Sequence, residues 1–235
     1  MDNHNLEKQN PCTVISFYKY IEIKQPDKLV ETIRSYCTKN NILGRILVSN
    51  EGINGAICSV NEDIERFKIW IKKNALFSDL TFREQHLEHN SYHKLVVRLR
   101  EEMVFFGKKV DLAMTGKHLP PKELKKMLDD GEEIILLDAR NDYDHKVGKF
   151  KGAVTLPIHS FREFPESITR IAQLNKVKKI NEKKIVMYCT GGVRCEKASA
   201  YLKEKGFTNV YQIEGGIINY VNQFPDTYFE GSCLE

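Results

Sequence analysis

The stretch Lys184-Lys-Ile-Val-Met-Tyr-Cys189-Thr-Gly-Gly-Val-Arg194-Cys195-Glu-Lys197 constrains this chain more than any other, because a short apolar run meets a cysteine and a glycine pair immediately before a helical pattern. Ile185 to Tyr188 is β-prone and bounded by polar residues. Glu196 to Lys205 carries Ala198, Tyr201 and Leu202 at helical spacing before Gly206 ends the pattern. The order is therefore strand, tight loop, helix. A loop at a helix N-terminus favours an anion, since unpaired backbone N–H groups and the positive end of the helix dipole converge there. A thiolate is such an anion. A free cysteine titrates near ~8.5, and helix-start cysteines beside cations fall to roughly 3.5–7.5. Cys189, next to Arg194, is expected to be largely ionised at neutral pH. Gly191 and Gly192 remove the side chains that would keep backbone amides from turning inward around that sulfur.

Four residues separate Cys189 from Arg194. Cysteine-dependent phosphatases place one residue more between the same two types, which makes room for a phosphate, whereas the shorter loop suits a sulfur atom carried on the cysteine. This arrangement resembles a rhodanese domain. Three further segments support the resemblance in the expected order: Ile134-Ile-Leu-Leu-Asp138-Ala-Arg140, then Gly148-Lys-Phe-Lys-Gly152-Ala153 leading to Leu156-Pro157, then Val210-Tyr-Gln-Ile-Glu-Gly215-Gly216-Ile217.

At 235 residues the chain has room for one or two domains, and its 41% hydrophobic and 29% charged fractions are those of an ordinary globular protein. No apolar run approaches the ~20 residues that a bilayer crossing needs, so no membrane partner is expected. Met1 to Asn10 is polar and has no apolar centre, which points to a cytoplasmic, reducing setting. The six cysteines, Cys12, Cys37, Cys58, Cys189, Cys195 and Cys233, follow no regular framework, so buried thiols plus one reactive site are expected rather than structural disulfides. A net charge of +4 permits nucleic-acid binding without demanding it.

In chain order, Thr13 to Ile23 reads as a first strand. A helix opened by Pro26 follows, with Leu29, Val30, Ile33 and Tyr36 on its apolar side. Gly44 to Val48 and Ala56 to Val60 are β-prone runs, and Asn54-Gly55 between them signals a tight turn. A second helix, from about Asp63 to Lys73, has Ile64, Phe67, Ile69, Trp70 and Ile71 as its buried side, and strands are expected at Leu80 to Phe82 and Leu95 to Leu99. The order βαββαβ is the ferredoxin-like arrangement, a sheet of about four strands with two helices on one face. Its other face is left open. Glu101 to Lys117, with Gly107 and Gly116, reads as a junction. The expected organisation is thus a ferredoxin-like α+β domain over 1–110 and a rhodanese-like α/β domain with a parallel sheet over 111–235. In the second domain Pro121 opens a helix, Ile134 to Leu137 delivers Asp138 to a loop, and strands alternate with helices onward to Phe207. Ligand sites in such sheets lie beyond the carboxyl ends of the strands, which is where Cys189 falls.

A narrower resemblance rests on Gly148-Lys-Phe-Lys-Gly-Ala153, where many rhodanese domains have His and Pro in place of Lys149 and Lys151, together with Phe161-Arg-Glu-Phe-Pro165, the Cys189 loop and the upstream Glu51-Gly-Ile-Asn-Gly55. Thr13 to Phe224 is similar to the rhodanese-containing tRNA uridine hydroxylases. Relatives in that family continue past the position of Gly231 into a tail with further cysteines, whereas this sequence stops at Glu235. The resemblance implies oxygen-dependent 5-hydroxylation of the wobble uridine, with the loop cysteine essential, molecular oxygen as co-substrate, no cofactor, and the anticodon region of tRNA as partner. The competing reading of the same residues is a sulfurtransferase that carries a persulfide on Cys189, and a third is an RNA-binding module with an incidental thiol.

The expected site therefore comprises Cys189 as the catalytic group, with Thr190, Gly191, Gly192, Val193, Arg194 and Cys195 forming its loop. Cys195 is either a resolving thiol or a small residue packed behind the loop. Asp138 and Arg140 are placed behind the site, as a buried ion pair or a helix cap. His86, His89 and His93 would share one face on a helix, but Asn90-Ser91-Tyr92 breaks a helical pattern, so no metal site is expected. Lys176, Lys178, Lys179, Lys183 and Lys184 fit a solvated face better than a phosphate site. A rhodanese loop offers too few contacts to hold a tRNA, so phosphate contacts are expected on the N-terminal sheet, the Glu51 to Gly55 hairpin and around Lys108 and Lys109.

Overall fold

The computed structural model describes residues 11–90, 92–175 and 183–232; Cys233, Lys176, Lys178 and Lys179 lie outside them. The chain divides into two units, Met1–Met103 and Val104–Glu235.

The first unit runs β1 (Cys12–Tyr20), α1 (Pro26–Lys39), β2 (Leu43–Ser49), β3 (Gly52–Ser59), α2 (Asn61–Lys72), β4 (Arg83–Leu87) and β5 (Leu95–Leu99). Its sheet has five strands in the order β4-β1-β3-β2-β5. Neighbours are antiparallel except β2 and β5. The βαββαβ core and the strand at Leu95–Leu99 are as expected, and the sheet has five strands rather than about four. Helix α1 starts with Pro26 in its first turn and Asp27 at the positive dipole end, and it closes near Lys39. Val30, Ile33 and Cys37 recur on one face of α1, and Ile64, Phe67 and Ile71 recur on one face of α2. Both stripes pack on Ile15, Phe17, Ile46, Val48, Ile53, Ile57 and Val97. Burial pushes the Cys37 thiol up to about 12, which keeps it inert.

Three local expectations give way here. Ile69, read as buried, is 62% exposed because it falls outside the 64, 67, 71 stripe. The hairpin turns at Asn50 and Glu51 rather than at Asn54-Gly55, which lie inside β3. Gly55 is small for a packing reason, since a Cβ there would stand 2.8 Å from the Phe17 ring. The fourth strand is Arg83–Leu87, just past Leu80 to Phe82; Leu80 instead fills the helix-side core.

The second unit contains β6 (Lys117–Leu119), α3 (Pro121–Asp129), β7 (Ile134–Asp138), α4 (Asp142–Val147), β8 (Gly148–Phe150), β9 (Val154–Thr155), α5 (Phe164–Asn175), β10 (Lys184–Tyr188), α6 (Val193–Glu204), β11 (Val210–Ile213), α7 (Gly216–Gln223) and β12 (Phe229–Gly231). A parallel sheet in the order β6-β11-β10-β7-β9 carries helices on both faces, and β8 and β12 form a small antiparallel pair. Alternation along the central strand β10 divides the interior. Ile185 and Met187 join the core shared with α5 and α6, while Val186 and Tyr188 join the one shared with α3 and α7. No helix among the described residues is long and apolar enough to cross a membrane.

A candidate active site around Cys189

Tyr188 ends the central strand, and Cys189 leaves its carboxyl end fully buried. Gly192 takes φ 100° at the start of α6, a left-handed conformation that glycine alone adopts without strain. That turn aims its N–H at Cys189 Sγ, 3.1 Å away, while its carbonyl accepts from Cys195 N–H at 3.0 Å. Burial alone would raise the Cys189 pKa. It is outweighed by the Cys195 thiol donating to Sγ, by the charge of Arg194 and by the backbone N–H groups of Cys195 and Arg194, so Cys189 falls from near 9 to about 6. Cys195 moves the other way. Its burial and its hydrogen bond to the Cys189 sulfur hold it well above the ordinary thiol range. The two cysteines therefore act as one thiolate with a thiol donor behind it.

Arg194 is itself held. One guanidinium nitrogen donates to Thr190 Oγ1 at 3.0 Å, and the other pairs with Asp144 Oδ2 at 3.2 Å. Asp144 also accepts from Asn141 N–H at 3.1 Å across the first turn of α4. Sequence reasoning missed Asp144, which lies 50 positions from Arg194. The available signal was the Asn141-x-x-Asp144 spacing of a helix capping box. Thr190, Gly191, Val193 and Arg194 are partly exposed, so the rim of the loop meets solvent above the buried sulfur.

Asp138 and Arg140 form a buried ion pair. Arg140 donates from Nε at 2.9 Å and from a terminal nitrogen at 2.7 Å to the two carboxylate oxygens, and it reaches the Gly148 carbonyl at 2.6 Å. The guanidinium also lies over the Tyr188 ring at 5.5 Å. These bonds tie the end of β7 to β8 beside the strand that carries Cys189. The pair lies beside the candidate site. On the other side Glu196 is buried among Thr115, His118 and Gln212, which hydrogen-bond to it at 2.8, 2.8 and 2.9 Å and keep its carboxyl ionised against burial. This group anchors the first turns of α6 to β6 and β11. Gly216 closes the base of the site at φ 67°. A Cβ there would meet Thr190 O at 2.4 Å and Cys189 O at 2.6 Å, where Ile217 N–H donates to Cys189 O at 2.9 Å.

The remaining sequence candidates stand apart from this cluster. His86 lies on β4 and hydrogen-bonds to Thr13, so the helical spacing with His89 and His93 does not apply. Among the described residues no three His, Cys, Asp or Glu side chains are placed to hold a metal ion. Lys183 and Lys184 pair with Glu133 and Glu132.

Comparison with known proteins gives the geometry a context. Residues 12–103 match the UPF0176 acylphosphatase like domain, and residues 120–223 match the rhodanese-like domain. A tRNA uridine(34) hydroxylase of Cytophaga hutchinsonii is 40% identical over 222 residues, 94% of this chain and 69% of that protein. One of Legionella pneumophila (strain Paris) is 40% identical over 225 residues, 94% of this chain and 86% of that protein. The chain belongs to the tRNA uridine(34) hydroxylase family. A further family member, from Staphylococcus epidermidis, is 39% identical over 224 residues, 93% of this chain and 68% of that protein. In this tRNA uridine(34) hydroxylase family chain the Cys189 loop falls within the rhodanese-like match, and the open-faced sheet falls within the acylphosphatase-like one.

An acidic Cys189 sets a pH dependence. The sulfur is protonated below about 6 and ionised above it, so thiolate absorbance near 240 nm, taken as wild type minus Cys189→Ser, should rise through about pH 6 and level off by neutrality. Arg194→Ala should move that rise to higher pH by removing the adjacent cation. Asp144→Asn should move it in the same direction and less far, by loosening the guanidinium. A wild-type midpoint at or above that of a free thiol contradicts the assignment.

Proposed function

We propose that this protein hydroxylates C5 of the wobble uridine in the anticodon region of tRNA, in the cytoplasm, with molecular oxygen as co-substrate and Cys189 as the nucleophile. The observation that carries the reading is the ionised, hydrogen-bonded Cys189 at a helix start in a chain of this family. C5 of uracil is a poor nucleophile until a group adds at C6. The Cys189 thiolate supplies that group: an S–C6 bond forms, and the C5=C6 electron pair moves to C5 and O4. The electron-rich C5 then takes one oxygen atom from O2. The other atom leaves as water, which consumes two electrons and two protons from an external thiol reductant. Loss of the C5 proton and departure of the thiolate restore the double bond. Arg194 and the loop amides stabilise the sulfur before attack and after departure, and Cys195 returns its hydrogen bond to it. The loop residues Thr190 to Cys195 thus act as the site, and Asp138 and Arg140 as its brace.

The four-residue loop also fits a sulfur atom carried on Cys189, which favours sulfur transfer as the second reading. Purified protein incubated with tRNA and a thiol reductant under ¹⁸O₂ separates the two. Hydroxylation should leave 5-hydroxyuridine at position 34 carrying one ¹⁸O. Thiolated uridine without hydroxylation contradicts that reading and supports sulfur transfer.

A further inference from the structure

The face of the first sheet turned away from its helices is a second surface on which chemistry-bearing residues converge; one end of it, around Val14 and Cys58, is covered by Leu87 and Tyr92. On β1, Ile15 and Phe17 turn to the helices, so alternation puts Ser16, Tyr18 and Tyr20 on the opposite side. Cross-strand register extends that side across all five strands. Ser16 stands opposite Arg83 of β4 and Ala56 of β3, Ala56 opposite Arg45 of β2, and Arg45 opposite Val96 of β5. The next row runs Tyr18, Asn54, Leu47 and Arg98. Arg83 on one side and Arg45 and Arg98 on the other thus flank a floor of partly buried Ser16, Asn54 and Ala56. Arg45 and Arg98 are exposed. The Arg83 guanidinium lies 5.5 Å from the Tyr18 ring centre, and Tyr20 meets Tyr18 edge-on at 6.3 Å.

The charged strand positions on this face carry one sign. None of its outward strand positions among the described residues is acidic, and the one carboxylate on β4, Glu84, turns to the helix side and pairs with Lys68. Arginines around a flat floor with two tyrosines suit a strand that is charged along its backbone and presents flat rings, which is an unpaired nucleic-acid strand. An acidic protein would use the arginines but has no flat rings to match the two neighbouring aromatic ones.

The geometry points to this face as the seat of the unpaired anticodon-loop strand of the tRNA substrate, with Arg45, Arg83 and Arg98 on phosphates and Tyr18 and Tyr20 stacked on bases. The inference rests on the hydroxylation reading for the identity of the RNA.

The test uses the full chain and a synthetic anticodon stem-loop RNA with uridine at position 34, with binding followed by fluorescence anisotropy over a series of salt concentrations. Arg45→Gln/Arg98→Gln should weaken binding and reduce the slope of log K against log salt by about 0.7 for each phosphate no longer neutralised. Tyr18→Leu should weaken binding about tenfold with the salt slope unchanged, because stacking releases no counterions. The double lysine variant, Arg45→Lys/Arg98→Lys, should keep the wild-type slope. In hydroxylation assays the glutamine variant should raise KM and leave kcat at saturating tRNA. Wild-type affinity and slope in the glutamine variant overturn the inference while leaving the activity intact, as does an affinity for an acidic peptide that the variant loses while RNA binding persists. A wild-type protein that binds the stem-loop through this face without hydroxylating it would leave the surface assignment standing and sink the activity reading.

Discussion

A single glycine inserted between Gly192 and Val193 should abolish hydroxylation, by about 100-fold or more, and leave the fold in place. The insertion moves the start of α6 away from the sulfur. The Gly192 N–H at 3.1 Å from Sγ precedes the insertion, whereas the amides of Arg194 and Cys195 and the Cys195 thiol follow it. Hydrogen bonds to a charged group contribute roughly 1.5–3 kcal/mol each, so losing two costs about 3 kcal/mol or more of thiolate stabilisation. That corresponds to a sulfur that titrates in the ordinary range and to the expected loss of rate. The extra residue enters between the buried Gly192 and the partly exposed Val193, and far-UV circular dichroism matching that of wild type checks that the fold is kept. Unchanged activity together with an unchanged 240-nm titration would show that convergence of the loop amides on Cys189 is not what makes it reactive.

The second large effect concerns stability. Arg140→Ala leaves Asp138 buried with its charge uncompensated, since Arg140 and Asp138 are 2% and 0% exposed and bond chiefly to each other. Breaking a buried pair by removing one partner costs about 3–5 kcal/mol, a large share of the roughly 5–15 kcal/mol that holds a folded protein together. Urea unfolding followed by far-UV circular dichroism should show a transition at clearly lower urea. Trp70, the single tryptophan, belongs to the first unit and reports on that unit separately. Asp138→Leu/Arg140→Met, which removes both charges, should recover much of the loss. An Arg140→Ala protein as stable as wild type would mean that Asp138 finds another partner and that the pair is not the brace described above.

The parts of this molecule that the sequence discloses are those written in contiguous residues. Ile185 to Tyr188 with the Cys189 loop and the Ala198, Tyr201, Leu202 pattern spell out strand, loop and helix, because hydrophobic period and glycine position are local signals. Asp144 is hidden in the sequence because its role depends on chain that folds back from 50 positions away. Gly216 stands out in the sequence by resemblance alone; its physical reason, the close approach to Thr190 O, exists only once α7 packs under the loop. In β4, Arg-Glu-Gln-His-Leu is an edge strand with polar residues on both sides, so the neighbouring apolar Leu80 to Phe82 reads as the strand instead. At Asn54-Gly55 a strong turn signal yields to packing, since Gly55 is needed under Phe17 and Ile46.

That Cys189 performs the hydroxylation of the wobble uridine is open to a direct measurement: mass-spectrometric nucleoside analysis of tRNA from cells that lack their own uridine hydroxylation and express either the wild-type chain or Cys189→Ser. The wild-type chain should yield 5-hydroxyuridine at position 34, Cys189→Ser should yield none, and both should leave the same thiolated uridines. Hydroxyuridine persisting in the Cys189→Ser cells, or a change confined to thiolated uridines, would contradict the role given to Cys189.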